Sequence, residues 1–414
     1  MKQKKMPLAF WIFIGLLVGI AAGVGLMYVP GGLNIANGYI KPFGTIFLNL
    51  LKFIVVPIVM FSIASGVISM QDISRVGSVG GKTVVYYMCT TAFAVAMALL
   101  LASGAKALGL FHALKTSGLE FTPPQGQSLM TTIVNIFPSN ALAPLAEANM
   151  LQVIVISLFL GFGILLAGEK GLVAAQIVDS FNEVSMKIMD LIIKLSPIGV
   201  ACLICPVIVE NGPSIVADLV TVLLVAYVGY FLHAVIVYSL SVKALGGVSP
   251  IAFFKGVAPA MMMAFSSASS VGTLPFTLEC TERLGARRDV SSFVLPLGAT
   301  INMDGTAIYQ GVCAIFIASA FGIDLTLGQM ITIVLTATLA SIGTAGVPGA
   351  GMVMLAMVLQ SVNIPVEGIA LVAGIDRVFD MGRTTVNITG DAACSIIISK
   401  MEDRKAARTR AARG

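Results

Sequence analysis

Long apolar runs separated by short polar connections fill nearly the whole chain. Mostly apolar stretches recur at Leu8–Met27, Ile46–Met70, Val84–Leu101, Leu151–Ala167, Met189–Val209 and Ile215–Leu240. Each is close to the roughly 17–25 residues that a helix needs to cross a bilayer. The pattern continues to the C-terminus and predicts an all-α polytopic membrane protein, a single domain over residues 1–414 with no soluble appendage. The run Gly368 to Ile398 is also long enough to span, yet it carries Asp376, Arg377, Asp380, Arg383 and Asp391. Ionisable groups at membrane depth cost several kcal/mol unless paired or facing a water-filled cavity, so by default they mark a functional site. Positions 376, 380, 383, 387 and 391 step by four, three, four and four, which lines their side chains along one helical face. A polar stripe of both signs inside a span suits a charged solute and its ions.

Composition strengthens the membrane reading. The chain is 57% hydrophobic and only 11% charged, against about 25% charged for soluble domains. The opening Met-Lys-Gln-Lys-Lys before an apolar run resembles a signal peptide, but no small-residue cleavage pattern follows, so a retained first span is expected. The net charge of +5 does not point to nucleic acid. Its cations gather at Lys2, Lys4 and Lys5, at Arg75 and Lys82, at Lys170, at Lys243 and Lys255, at Arg283, Arg287 and Arg288, and in the tail Lys400–Arg413. The connections Tyr28–Tyr39, Glu210–Asp218 and Phe321–Gln329 have none, although Lys106 and Lys115 fall outside the pattern. By the positive-inside rule both termini are cytoplasmic, in a multi-pass protein of the cell membrane. Cys202 and Cys205 form a C-x-x-C in an apolar helix before Pro206 and read as packed small hydrophobes. His112 and His233 read as isolated histidines outside any ligand cluster.

The same charges expose two hairpins. Segment 249–280, Ser249–Cys280, has cations at both ends, so it enters from the cytoplasm and turns back; segment 326–361, Thr326–Ser361, has neither Lys nor Arg on its flanks and enters from outside. With both re-entrant, eight spanning helices remain and the basic tail returns to the cytoplasm. Their tips, S-S-A-S-S-V-G-T-L-P at Ser266–Pro275 and S-I-G-T-A-G-V-P-G-A-G at Ser341–Gly351, would break a spanning helix. Such backbone is tolerated at membrane depth only where it is buried in protein or lines a cavity. Each hairpin precedes a helix with a polar centre, Asn302-Met303-Asp304-Gly305-Thr306 or Asn387-Ile388-Thr389-Gly390-Asp391. Hairpin plus helix, twice and from opposite sides, is an inverted repeat of the kind that secondary transporters use.

The side chains suggest a division of labour. Arg383 can grip a carboxylate bidentately, and Asp380 can hold an ammonium, a combination suited to a zwitterion with an extra carboxylate. Hairpin-tip N–H groups offer further anion donors. Asp304 and Asp391 lie near Asn302, Asn387 and glycines whose carbonyls are open, the oxygen set that replaces the water of a hard monovalent cation. Sodium fits; the alternative is that one aspartate carries a proton. An intramembrane aspartyl protease would need two converging aspartates free of an Arg or an ion-like environment, and a channel would need a pore-lining repeat. Neither pattern is found, so no enzyme is expected.

N-M-D-G-T at 302–306, S-I-G-T-A-G-V-P-G at 341–349 and D-M-G-R-T-T-V-N-I-T-G-D at 380–391 resemble the glutamate transporter family, the dicarboxylate/amino acid:cation symporters. The resemblance covers essentially the whole chain and is nearest to the prokaryotic sodium-coupled aspartate transporters. It implies eight spans with two hairpins, a homotrimer in the lipid bilayer, and an elevator mechanism. A scaffold over about residues 8–70 and 125–212 would hold a transport part over about 80–110 and 215–400. It implies an acidic amino acid, aspartate or glutamate, as substrate, sodium as the co-transported ion and no organic cofactor. Arg383 would grip the side-chain carboxylate and Asp380 the amino group. Thr306 and Asn387 would meet the carboxylates, with Thr384 and the backbone at Ser270, Gly346 and Val347 completing the pocket. One sodium site would use Asp391, Asn302, Asn387 and Gly298, and a second Thr300 with the carbonyls of Ser341, Ile342 and Thr344. A third would use Tyr87, Thr90, Thr91, Asn302 and Asp304, and the run Tyr86-Tyr87-Met88-Cys89-Thr90-Thr91 matches. Three departures stand out: Ala268 where archaeal relatives have Arg, Arg377 in the last helix instead, and Val271 in place of a Ser. The alternative reading is a proton-coupled carrier of glutamate, aspartate or a C4-dicarboxylate, but such carriers typically lack the carboxylate kept here as Asp391.

Overall fold

The computed structural model describes residues 8–69, 78–112, 134, 137–213, 215–341 and 350–411. Among them the chain is all-helical, with no strand. Helix α1 is Leu8–Met27, and α2, Lys41–Ser69, follows a short turn and a π-helical turn at Ala36–Ile40. Then come α3 (Ser78–Ala107), α4 (Met150–Leu166), α5 (Leu172–Lys194), α6 (Ser196–Asn211) and α7 (Ile215–His233). The predicted run Met189–Val209 is not one helix. It is divided at Leu195, where the Ser196-Pro197 start of α6 supplies no N–H to continue α5, and the axis bends by 52°.

The helices that open the two predicted hairpin segments each start at a side-chain cap. Ser249 accepts from Ala252 N at 3.3 Å to open α8, Pro250–Ser267. The helix stops at Ala268, whose φ of 51° is left-handed, and Ser269 caps α9, Ser270–Arg283, accepting from Gly272 N at 3.1 Å. Helix α10, Arg288–Ile301, follows; the chain breaks at Asn302 and Met303 and resumes as α11, Asp304–Ala320. The polar centre N-M-D-G-T is therefore an interruption between helices. A capping box between Thr326 and Gln329 opens α12, Leu327–Ala340, and α13 is Ala350–Ser361; the intervening tip 342–349 lies outside the described residues. The predicted continuous run from Gly368 is also split: α14, Ile369–Ala373, ends at a turn over Gly374 and Ile375 before α15, Asp376–Ala411. The turn leaves the whole polar stripe on one unbroken helix.

Helices α1, α2, α4, α5 and α6 pack on one another, and α3, α7 to α11 and α15 form a second group; α12 and α13 touch both. On α1 the small residues Gly15, Gly19 and Gly23 face α6 so closely that a Cβ on any of them would strike it, which is close packing of the small-xxx-small kind. The periphery is apolar, with Phe43, Phe53, Leu100, Ile198, Phe231 and Ile251 all exposed. Among the described residues four helical stretches, Phe10–Met27, Gly32–Ile68, Val79–Ala107 and Ile215–Gly246, are long and apolar enough to cross a membrane, and the bent pair Gly168–Lys194 with Ser196–Asn211 makes a fifth if taken as one span. An apolar exterior around buried charge identifies a membrane protein.

Candidate functional site

Helix α15 brings its stripe to the centre of the second helix group, where Asp376, Asp380, Arg383, Asn387 and Asp391 are all buried. The guanidinium of Arg383 donates from Nε to Asp380 Oδ1 at 2.9 Å and from Nη1 to Asp376 Oδ1 at 3.0 Å. The ring of Tyr309 lies below it, 4.8 Å from Cζ. Nη2 is buried without a hydrogen-bond partner among the described residues. Above, Gly351 of α13 approaches so closely that a Cβ would meet the guanidinium. Asp376 thus holds Arg383. Arg377 instead donates from Nη2 to the carbonyl of Ser267 at 3.2 Å, at the tip of the first hairpin, with Nη1 3.6 Å from Asp380 Oδ2.

Next to this cluster, Asn387 joins α15 to the break between α10 and α11. Its Oδ1 accepts from Gly305 N at 2.8 Å, and Nδ2 lies 3.4 Å from Thr306 Oγ1 and 3.3 Å from Met303 Sδ. Asn302 donates through Nδ2 to the carbonyl of Asn387 at 2.8 Å and to Asp391 Oδ1 at 2.9 Å. Two acceptors on one side settle the amide's orientation. They leave Asn302 Oδ1 buried without a partner among the described residues. A Cβ on Gly298 would collide with both Asp391 Oδ1 and Tyr87 OH, so these three residues converge on one spot.

Asp304, at the start of α11, is fully buried. Its Oδ1 accepts from Thr91 at 2.6 Å and Thr90 at 3.3 Å, both on α3. Its Oδ2 meets Tyr238 OH at 2.8 Å and His233 Nε2 at 3.0 Å. The reading of His233 as isolated is therefore wrong: a fully buried histidine here contacts a fully buried aspartate. The signal was present, since an ionisable residue inside a span is a site candidate by default. Tyr238 and Tyr309 had no such signal.

Other predicted residues are less joined. Ser270 and Thr384 are buried beside the cluster. Thr300 and Ser341 turn their hydroxyls to carbonyls of their own helices, Leu297 at 2.9 Å and Thr338 at 2.7 Å. Ile342, Thr344, Gly346 and Val347 lie outside the described residues. No group of three or more His, Cys, Asp or Glu side chains converges on a metal position among the described residues. Asp376 and Asp380 share the guanidinium of Arg383, whereas Asp391 meets the amide of Asn302 and Asp304 meets hydroxyls and an imidazole.

Residues 8–401 match the sodium:dicarboxylate symporter family. Over 97% of this chain and 96% of the relative, it is 36% identical to a proton/sodium-glutamate symport protein of Geobacillus stearothermophilus. It is 34% identical to a proton/glutamate-aspartate symporter of Escherichia coli strain K12, over 98% and 96%, and 32% identical to a C4-dicarboxylate transport protein of Bacillus subtilis strain 168, over 95% and 93%. These relatives are transporters and not enzymes. With a buried charged site reached by a helix-break-helix hairpin inside an apolar bundle, the chain belongs to the sodium:dicarboxylate symporter family.

Proposed function

We propose that this protein imports an acidic amino acid, aspartate or glutamate, together with sodium ions. The observation that carries the reading is Nη2 of Arg383, buried without a partner among the described residues. A buried charged donor without an acceptor is costly, and a substrate carboxylate is the group that would satisfy it. Arg383 then holds the side-chain carboxylate and Asp380 the amino group. Thr306, Asn387 and Thr384, with the backbone at Ser270, Gly346 and Val347, hold the remainder.

The cations bind in three places in this reading. The first uses Asp391, Asn302, Asn387 and the Gly298 carbonyl, and is supported by Asn302 Oδ1, which is without a partner among the described residues. The second uses Thr300 with the carbonyls of Ser341, Ile342 and Thr344, and the third uses Tyr87, Thr90, Thr91, Asn302 and Asp304. Asn387 contacts Thr306 and Gly305 on one side and, through its carbonyl, Asn302 on the other. Occupying either site biases the same residue, through its side chain on one side and its backbone on the other, and linkage makes that coupling reciprocal.

The architecture we assign is eight spans with two re-entrant hairpins in inverted repeats, both termini cytoplasmic, assembled as a homotrimer. Residues of about 8–70 and 125–212 form the scaffold, and about 80–110 and 215–400 form the part that moves like an elevator. The separate packing of the two helix groups supports this division. A second reading, a proton-coupled carrier of glutamate, aspartate or a C4-dicarboxylate, draws support from the names of the relatives in Escherichia coli and Bacillus subtilis.

Uptake of labelled aspartate, glutamate, succinate and a neutral amino acid into proteoliposomes, under separate sodium and proton gradients, distinguishes the two. Saturable aspartate or glutamate uptake that requires sodium is expected. Uptake that persists without sodium under a proton gradient refutes the coupling, and a preference for succinate refutes the substrate.

A further inference from the structure

Helix α7 ends at His233, but the backbone continues through a π-helical turn, Ala234–Tyr238. In a regular α-helix, positions five apart point roughly 140° away from each other, so His233 and Tyr238 would not share a target. The i→i+5 bonding of a π turn brings such positions toward one face, and π turns within helices gather at functional sites. Here both side chains reach the same atom, Oδ2 of Asp304, at 3.0 and 2.8 Å.

The two oxygens of Asp304 are served by different kinds of donor. Oδ1 is met by the hydroxyls of Thr90 and Thr91, which can rotate and offer lone pairs instead. Oδ2 is met by an imidazole held rigidly: His233 is fully buried, with the Tyr238 ring edge-on at 4.9 Å and the Phe93 ring at 6.2 Å. Its Nδ1 has no hydrogen-bond partner among the described residues, so the ring is read with its proton on Nε2, donating to the carboxylate. An N–H there can only donate, and it leaves Oδ2 no room for a cation.

We infer that His233, aided by Tyr238, is a positioning residue that pins Oδ2 of Asp304 and so presents Oδ1, with the Thr90 and Thr91 hydroxyls, to the coupling cation. The inference rests on the reading of Asp304 as a cation ligand. It assigns the π turn the task of fixing which carboxylate oxygen the cation meets.

The test compares His233→Leu, which removes the donor, with His233→Gln, which keeps a neutral N–H donor, in purified protein reconstituted into proteoliposomes. Thermal unfolding in detergent confirms that each variant is folded. Substrate uptake is measured against the concentration of whichever cation drives the wild type, sodium or proton. His233→Leu is expected to raise the half-saturating cation concentration about tenfold or more, with substrate KM restored at saturating cation. His233→Gln stays within about threefold of wild type, and Tyr238→Phe shifts the same constant in the same direction by a smaller factor. If His233→Leu is folded and leaves the cation dependence unchanged, or if the Leu and Gln variants behave alike, the positioning role is overturned. A His233→Leu variant too unstable to purify while His233→Gln is equally impaired also counts against it, because a lost donor would spare the Gln variant. Failure of the sodium reading shows separately, in the wild type, as uptake indifferent to sodium.

Discussion

Arg383 reaches back seven residues along its own helix to Asp376, Nη1 to Oδ1 at 3.0 Å, while Nε holds Asp380 at 2.9 Å. The guanidinium is thereby shared between two buried carboxylates and keeps Nη2 in reserve. Replacing it by Arg383→Cys leaves Asp376 buried without its cation and Asp380 with Arg377 alone, a change that costs about 3–5 kcal/mol in comparable settings. Uptake of aspartate and glutamate should fall at least about 100-fold, while neutral amino acids become better substrates. Competition assays in proteoliposomes read this directly, and retained aspartate uptake would refute the assignment.

Asp376 orients the fork without touching the solute in this arrangement. Asp376→Leu leaves Nη1 without its acceptor, and an unsatisfied buried donor costs about 1–3 kcal/mol. Titration calorimetry should show acidic-substrate affinity weakened about tenfold in Asp376→Leu and largely recovered in Asp376→Asn, which keeps an acceptor oxygen. Equal loss in both would make charge, not orientation, the contribution of Asp376.

Arg377 joins α15 to the first hairpin through the Ser267 carbonyl. In Arg377→Met that tie is lost, and the tip, already strained by the left-handed Ala268, should open more often. Hydrogen exchange over residues 266–272 should quicken severalfold while the centre of α15 stays protected. Unaltered exchange at the tip would remove Arg377 from any gating role.

Gly298 faces Asp391 Oδ1 and Tyr87 OH with no room for a methyl group. Overpacking of this sort costs about 1–3 kcal/mol. Gly298→Ala should therefore weaken cation activation of uptake by about tenfold or more, with substrate affinity restored when the cation is saturating. A variant with normal cation dependence would show that the oxygens around Gly298 are not a cation site.

Lys52 of α2 and Glu367, just before α14, form an ion pair of 2.6 Å between distant parts of the chain, with side chains 36% and 42% exposed. Pairs this open contribute about 0.2–1 kcal/mol, so breaking one shifts a two-position equilibrium by about fivefold at most. Any movement of α2 away from the chain that precedes α14 must break this pair. Lys52→Met should change the transport rate within that limit without altering substrate affinity, and the exchanged pair Lys52→Glu with Glu367→Lys should restore it. A large loss of substrate affinity instead would tie Lys52 to the binding site.

The legible parts of this protein were those written in short-range spacing. Helices α8 and α12 begin where the predicted segments begin, because Ser249 and Thr326 cap them through residues three positions away. The polar stripe of α15 is one face of one helix, because period and side-chain direction are local properties. Local reading failed where a break had to be placed: Met189–Val209 and the run from Gly368 are apolar enough on average to read as single spans, although Ser196-Pro197 and Gly374 stand at their bends, and hydropathy does not register a change of axis.

From its amino acids alone the chain is a membrane protein with a buried site for a charged solute, since charge in an apolar span is too costly to keep without a partner to bind. Which charge meets which was decided by the tertiary structure. Thr91 lies 213 residues from Asp304, and His233 lies 71 residues from it; no periodicity spans such distances. The burial that makes an unpaired carboxylate costly also selects its partners, and burial exists only once the helices have packed.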